Sequence, residues 1–136
     1  MVRPIIKNQG FLARKSLPAT EKDMMIGADL MDTFLAHKDE CVGLAANMIG
    51  TSKCIIVFDD EGRYAEMFNP EIIAQSGAYE TEEGCLSLDG ERRCRRYTKI
   101  KVRWQSRDGK VKIKNFTGRT AQIIQHEMDH CEGKII

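Results

Sequence analysis

Close to the C-terminus the chain reads His126-Glu127-Met128-Asp129-His130, two imidazoles four residues apart with a carboxylate beside the first. On a helix, at about 100° per residue, the histidines lie about 40° apart and one turn along, so their rings can converge on one metal ion. Glu127 falls about 100° from His126 and about 60° from His130, close to such an ion without having to ligate it. That position suits a base taking a proton from a water that the ion activates. Ile123 lies on the same arc and makes the face partly apolar, as a site that excludes bulk water requires. The bland alternative is two surface histidines that share a helix by chance. With average residue usage that pattern arises in roughly one chain in several hundred of this length, so metal binding is the stronger reading.

Two histidines need a third ligand. Only six residues follow His130, and Cys131 points about 100° away around the helix, so the ligand comes from upstream. Cys41, Cys54, Cys85, Cys94, His37 and the carboxylates are all eligible by type. Cys85 is favoured weakly by its neighbours, Gly84 before it and Leu86-Ser87 after it, a loop in which backbone and thiolate can both approach an ion.

The elements that must position these groups are legible in outline. A length of 136 residues, with 42% apolar and 30% charged side chains, fits one soluble domain, residues 1–136. Twenty-one basic and twenty acidic side chains leave a net charge of +1, which demands neither a specific nucleic acid nor an anionic membrane. No apolar run is long enough to span a bilayer, and Met1 to Lys7 is too short in apolar residues for a secretory signal, so the expected location is the cytoplasm. Five cysteines, an odd count spread along the chain, read as reduced thiols rather than a disulfide framework. Residues 1–19 read as irregular. Thr20 and Asp23 form a capping signal before a helix expected from about Glu21 to His37, with Met24, Leu30, Met31, Phe34 and Leu35 on its apolar face. Strands are expected at Cys54–Phe58, Tyr64–Asn69 (ended by Pro70), Glu71–Gln75, Lys99–Trp104 and a hairpin partner around Val111 and Ile113. A last helix is expected from about Thr120 to Cys131. Antiparallel strands between helices make the fold class α+β.

Three segments together resemble the peptide deformylase family. They are Cys41-Val42-Gly43-Leu44-Ala45-Ala46-Asn47-Met48-Ile49-Gly50, Glu83-Gly84-Cys85-Leu86-Ser87, and Gln125-His126-Glu127-Met128-Asp129-His130, with Asn69-Pro70-Glu71 between the first two. The resemblance runs from about Pro4 to the C-terminus. It implies antiparallel strands packed around a central helix that bears the HExxH motif. It also implies one divalent ion held by Cys85, His126 and His130, iron(II) as the native metal with zinc or nickel as replacements. The implied activity is removal of the formyl group from N-formylmethionyl peptides, with N-formylated nascent peptides and the ribosome as partners. Glu127 would accept the proton of the attacking water and pass it to the leaving amine. The backbone N–H of Leu86 would meet the developing oxyanion. Backbone groups of Val42 and Gly43 would hold the peptide extended.

The chain departs from the family pattern in several places. Met48 stands where the family has a glutamine that donates to the oxyanion, and a thioether cannot donate. Asn47 is the neighbouring amide, but it faces the other way if the backbone is extended. Losing such a donor predicts turnover lower by on the order of 10²-fold. Cys41 replaces the first glycine of its motif, with a small buried thiol as the plain reading. The expected methionine pocket maps to Val42, Thr81, Arg119, Gln122 and Ile123, three of them polar, so altered specificity is expected. Arg92, Arg93, Arg95 and Arg96 read as a solvated loop balanced by Glu82, Glu83, Asp89 and Glu91, with Arg92 or Arg93 as a peptide contact. Most bacterial members continue into a C-terminal helix beyond the motif, and its absence here is expected to bear on stability or ribosome docking more than on chemistry. The competing function is a catalytically weak, metal-binding protein on the same scaffold that binds peptides or another ligand. An endopeptidase is a more distant third.

Overall fold

The computed structural model describes residues 1–136. The N-terminal segment is not wholly irregular. Asn8 accepts the Phe11 N–H through Oδ1 at 2.9 Å and starts a short helix, α1 (Gln9–Leu12), which buries Leu12 completely. Thr20 and Asp23 make the expected reciprocal cap, the Thr20 N–H donating to Asp23 Oδ2 at 2.7 Å. They close a 3₁₀ turn (Glu21–Asp23) that leads into α2 (Met24–Ala36). Leu30 and Phe34 face the core, whereas Leu35, expected there, is 39% exposed. At Gly27 an added Cβ would sit 2.6 Å from Phe68, so the helix lies on the sheet at a distance only glycine permits.

Five strands form one antiparallel sheet in chain order: β1 (Gly43–Ala45), β2 (Ile55–Asp60), β3 (Arg63–Cys85), β4 (Leu88–Gln105) and β5 (Val111–Thr117). Residues Ala46–Ile49 after β1 turn as a 3₁₀ helix, so the expectation of extended backbone at Asn47 and Met48 is not met. Positive φ at Glu61 and Gly62 joins β2 to β3, as a two-residue hairpin requires.

Pro70 does not end its strand. The register slips between Phe68 and Glu71, with Asn69 at φ 52°, and the chain bulges past the missing N–H and continues to Cys85. Asn69 fixes the bulge by donating to Ala19 O and Gln105 Oε1, each at 2.9 Å. β4 alternates as expected, with Ile100 and Val102 buried, but it begins eleven residues before Lys99. Cys85 therefore closes a strand in a tight turn, instead of sitting in a free loop.

The last helix, α3 (Gly118–Cys131), packs across β1, β2 and β4 with Ala121 and Ile124 fully buried. Gln125 pins it to β4, accepting the Tyr97 N–H at 2.8 Å and donating to Tyr97 O at 2.9 Å, as a neighbouring strand would. No helix is long and apolar enough to cross a membrane.

Candidate metal centre

The sheet and the helix bring three soft or borderline donors to one point. Cys85 Sγ lies 3.3 Å from His130 Nε2, which lies 3.2 Å from His126 Nε2, and the three ligand atoms all fall within 4.8 Å of one another. Ligand bonds of about 2.0–2.3 Å in a tetrahedral site separate donor atoms by just such distances, so the residues fit a divalent ion of the zinc or iron type. Of the candidates left open by spacing, only Cys85 joins the histidines in a ligand cluster. His130 is fully buried, His126 is 7% exposed and Cys85 is half-buried at the wall of a cavity of about 690 Å³.

The buried surroundings hold the ligands in register. Glu83, two residues before Cys85 and on the same face of β3, has Oε1 2.7 Å from His126 Nδ1. That bond places the ring proton on Nδ1 and leaves Nε2 for an ion. Arg96 donates to both Glu83 oxygens, at 2.7 and 3.0 Å, and to Asp129 Oδ2 at 2.7 Å, tying the hairpin to α3. Gln122 donates to Glu83 Oε2 at 2.8 Å. The solvated reading of the arginine cluster thus fails for Arg96, which is 3% exposed. It fits Arg93, which pairs with Glu80 at the surface.

Charge follows geometry. Burial raises Glu83, but bonds from His126, Arg96 and Gln122 outweigh it and hold the carboxyl well below its usual range. Burial lowers His126, but Cys85 and Glu83 push its pKa up to about 10. Burial and the charge on His126 take His130 down to about 3. Burial raises the Glu127 carboxyl to about 7, against the pull of His126. The metal-free centre thus holds one extra proton where a cation would place its charge. Glu127 has Oε1 buried with no protein partner, and its Oε2 would be 2.9 Å from a Cβ added to Gly43. Gly43 therefore leaves room for the carboxylate beside the ligands.

Leu86, Val42, Gly43, Met48, Arg119, Gln122 and Ile123 line the cavity as expected, and Thr81 does not. Met48 is 1% exposed and its Sδ accepts the Ala45 N–H at 3.4 Å, so it offers the cavity no donor. Asn47 is no replacement, because its amide donates to His130 O at 2.9 Å.

Comparison with known proteins decides between the families able to carry such a centre. Residues 4–136 match the family described as polypeptide deformylase. A peptide deformylase of Clostridium beijerinckii is 51% identical over 136 residues, the full length of both chains. This chain belongs to the peptide deformylase family. Peptide deformylase 3 of Shewanella oneidensis is 36% identical, over 91% of this chain and 79% of that one. Among solved structures, a class I type b peptide deformylase from Acinetobacter baumannii bound to Met-Ala-Ser superposes with a TM-score of 0.87. It is 27% identical, over 98% of this chain and 96% of the other. The peptide deformylase of Thermus thermophilus gives a TM-score of 0.87 at 32% identity, over 98% and 83% of the two chains. The α+β fold and the deformylase activity read from the three motifs are those of this family: a metal-dependent hydrolase that removes the N-formyl group from nascent peptides.

The sequence reading missed Glu83, Arg96 and Asp129. Alternation from Cys85 would have marked Glu83 only had that segment been read as a strand, and its sequence reads as a loop. Nothing in the sequence pointed to Arg96, whose role depends on the register of a long hairpin.

Proposed function

We propose that Cys85, His126 and His130 hold iron(II), with zinc or nickel as working replacements, and that Glu127 is the proton carrier for hydrolysis of N-formylmethionyl peptides. The observation that carries this reading is the cluster of one half-buried thiol and two buried imidazoles with a carboxyl beside it. A cation held there supplies Lewis-acid activation of water and of the formyl oxygen. Glu127, out of bulk water and without a protein partner on Oε1, accepts the proton of the attacking water and returns it to the departing amine. The Leu86 N–H, at the turn after Cys85, donates to the developing oxyanion. β1 is an edge strand, so the peptide adds to the sheet there, held by backbone groups of Val42 and Gly43. Ile123 and Val42 supply apolar wall for the methionine side chain, with Arg119 and Gln122 at its polar side. A substrate made as nascent formylated chains supports a cytoplasmic location, with the ribosome as a partner.

Anaerobic protein loaded with nickel(II) should release formate from formyl-Met-Ala-Ser. Turnover no faster than that of metal-free protein would reject the assignment.

Met48 favours a second reading, a metal-bearing protein that binds peptides and hydrolyses them slowly, because the cavity lacks a side-chain donor at that place. Restoring a donor discriminates the two. Met48→Gln should raise kcat by on the order of 10²-fold if the scaffold is otherwise competent. An unchanged kcat alongside unchanged peptide affinity would favour the binding protein.

A further inference from the structure

The near-neutral charge of the whole chain conceals an uneven distribution. Residues 92–114 hold eleven of the twenty-one Lys and Arg side chains and a single acid, Asp108, so the remainder of the chain carries an acidic excess. That segment spans most of β4, the turn after it and the start of β5. Along β4, Ile100 and Val102 are buried on the side where α3 packs. Lys99, Lys101 and Arg103 alternate with them and are exposed on the opposite face of the sheet. Arg93 and Arg95, exposed on either side of Cys94, extend the same row. Ion pairs neutralise part of it. Arg103 lies 3.7 Å from Glu71, and Arg93 lies 2.8 Å from Glu80. Arg95 stands opposite Glu80 in the register, but that carboxylate is taken, and Arg95 lies over the Tyr97 ring instead. Lys99 faces Ser76 and Thr117 across the sheet, and Lys101 faces Ala74 and Asn115, none of them charged. The two ammonium groups, on residues about 7 Å apart, therefore repel each other with no carboxylate between them. Lysines on an edge strand keep sheets from pairing, which accounts for Lys112 and Lys114 on β5. It does not account for Lys99 and Lys101, whose strand is paired on both sides.

We propose that this outer face of β3, β4 and β5 binds the phosphate backbone of double-stranded RNA. From Arg95 to Arg103 the row runs about 27 Å, with a side chain on this face at intervals of about 7 Å. Such a row meets a line of phosphates, and the release of their condensed counterions supplies the affinity. Ser76, Asn115 and Thr117, exposed beside the lysines, put hydroxyl and amide groups where the 2′-hydroxyls of a wide, shallow minor groove lie. Single-stranded bases need an open aromatic platform. Tyr97, the one aromatic side chain on the row, is half-buried under Arg95 and offers none. Recognition is of shape and charge, without sequence. None of these residues lines the metal cavity, so a bound duplex leaves that cavity open.

The test titrates nickel-loaded protein into a fluorescent RNA duplex at low ionic strength and follows anisotropy. Binding is expected, with log Kd rising against log salt at a slope of about 3, close to one for each of Arg95, Lys99 and Lys101. Lys99→Glu combined with Lys101→Glu should weaken binding about tenfold or more and lower that slope by about 2. Lys7→Glu combined with Lys15→Glu makes the same change in net charge on the N-terminal segment, away from the face, and should move Kd by less than about threefold. An equal loss in both pairs would overturn the proposal, as would no binding by the unaltered protein or a Kd indifferent to salt. Equal affinity for single-stranded RNA of the same length would overturn duplex recognition, and tighter binding to phosphatidylglycerol vesicles would assign the face to a membrane instead. Nickel content shows whether each variant has folded, and Lys99→Gln combined with Lys101→Gln repeats the comparison should the glutamates disturb the sheet.

Discussion

Glu127 must stay out of water and still carry charge when a proton has to be taken. Burial lifts its carboxyl to about 7, so below that pH it is protonated and cannot serve as base. A bound cation favours the ionised form and moves the limit downward. Turnover of the metal-loaded protein should therefore fall on acidification with its limb below pH 7, seen in kcat/KM for formyl-Met-Ala-Ser. Glu127→Gln should lower kcat by about 10²–10⁴-fold and leave the nickel content unchanged; metal loss instead would make the residue structural. Glu83 acts one step further out, since its bond to His126 Nδ1 sets which nitrogen faces the ion. Glu83→Gln should weaken metal binding by about 10–100-fold in a chelator titration. The ligands and Glu127 were legible because helical spacing and three short motifs carry them. Their supports were not, because Glu83, Arg96 and Asp129 meet across three elements whose register no local pattern states.

At the scale of elements, the β3–β4 hairpin delivers Cys85 to α3. Its length was hidden by Pro70, which reads as a stop but sits at a bulge that costs the sheet no paired N–H. The strands that alternate or run apolar, Ile55–Phe58 and Lys99–Trp104, were legible. The polar remainder of both long strands was not, since exposure on a two-stranded arm leaves no hydrophobic period to read. The hairpin is joined to the helix by Arg96, 4% exposed at its side chain and paired to Glu83 and Asp129. Arg96→Leu would leave the buried Glu83 carboxylate and the half-buried Asp129 without their shared guanidinium. A loss of about 3–5 kcal/mol is expected in urea unfolding of metal-free protein. The surface pair of Arg93 and Glu80 gives the comparison, as Arg93→Leu should cost less than about 1 kcal/mol.

Over the whole molecule, the metal centre couples folding to pH. In metal-free protein His126 titrates near 10 against 6.5 for an ordinary imidazole, so the folded state binds more protons than the unfolded chain between those values. Stability from this group is complete below about pH 6.5 and is lost as pH rises through about 10. His130, held down to about 3, acts oppositely, its stability lost as pH falls from 6.5 toward 3. Glu127, raised from 4.5 to about 7, loses stability as pH climbs between those values and offsets His130 there. Cys94 and Cys41, pushed by burial to about 11 and about 12, add to the alkaline loss. The metal-free protein should therefore melt at progressively lower temperature from about pH 6.5 upward. A cation replaces the His126 proton and binds only the folded arrangement, so loading should both raise the melting temperature and flatten its alkaline fall. At a free metal concentration of about 100 times Kd the gain is about 2.7 kcal/mol. Calorimetry across that pH range with and without nickel(II) checks both. Equal slopes in the two states would mean that the proton on His126 and the cation do not share a site.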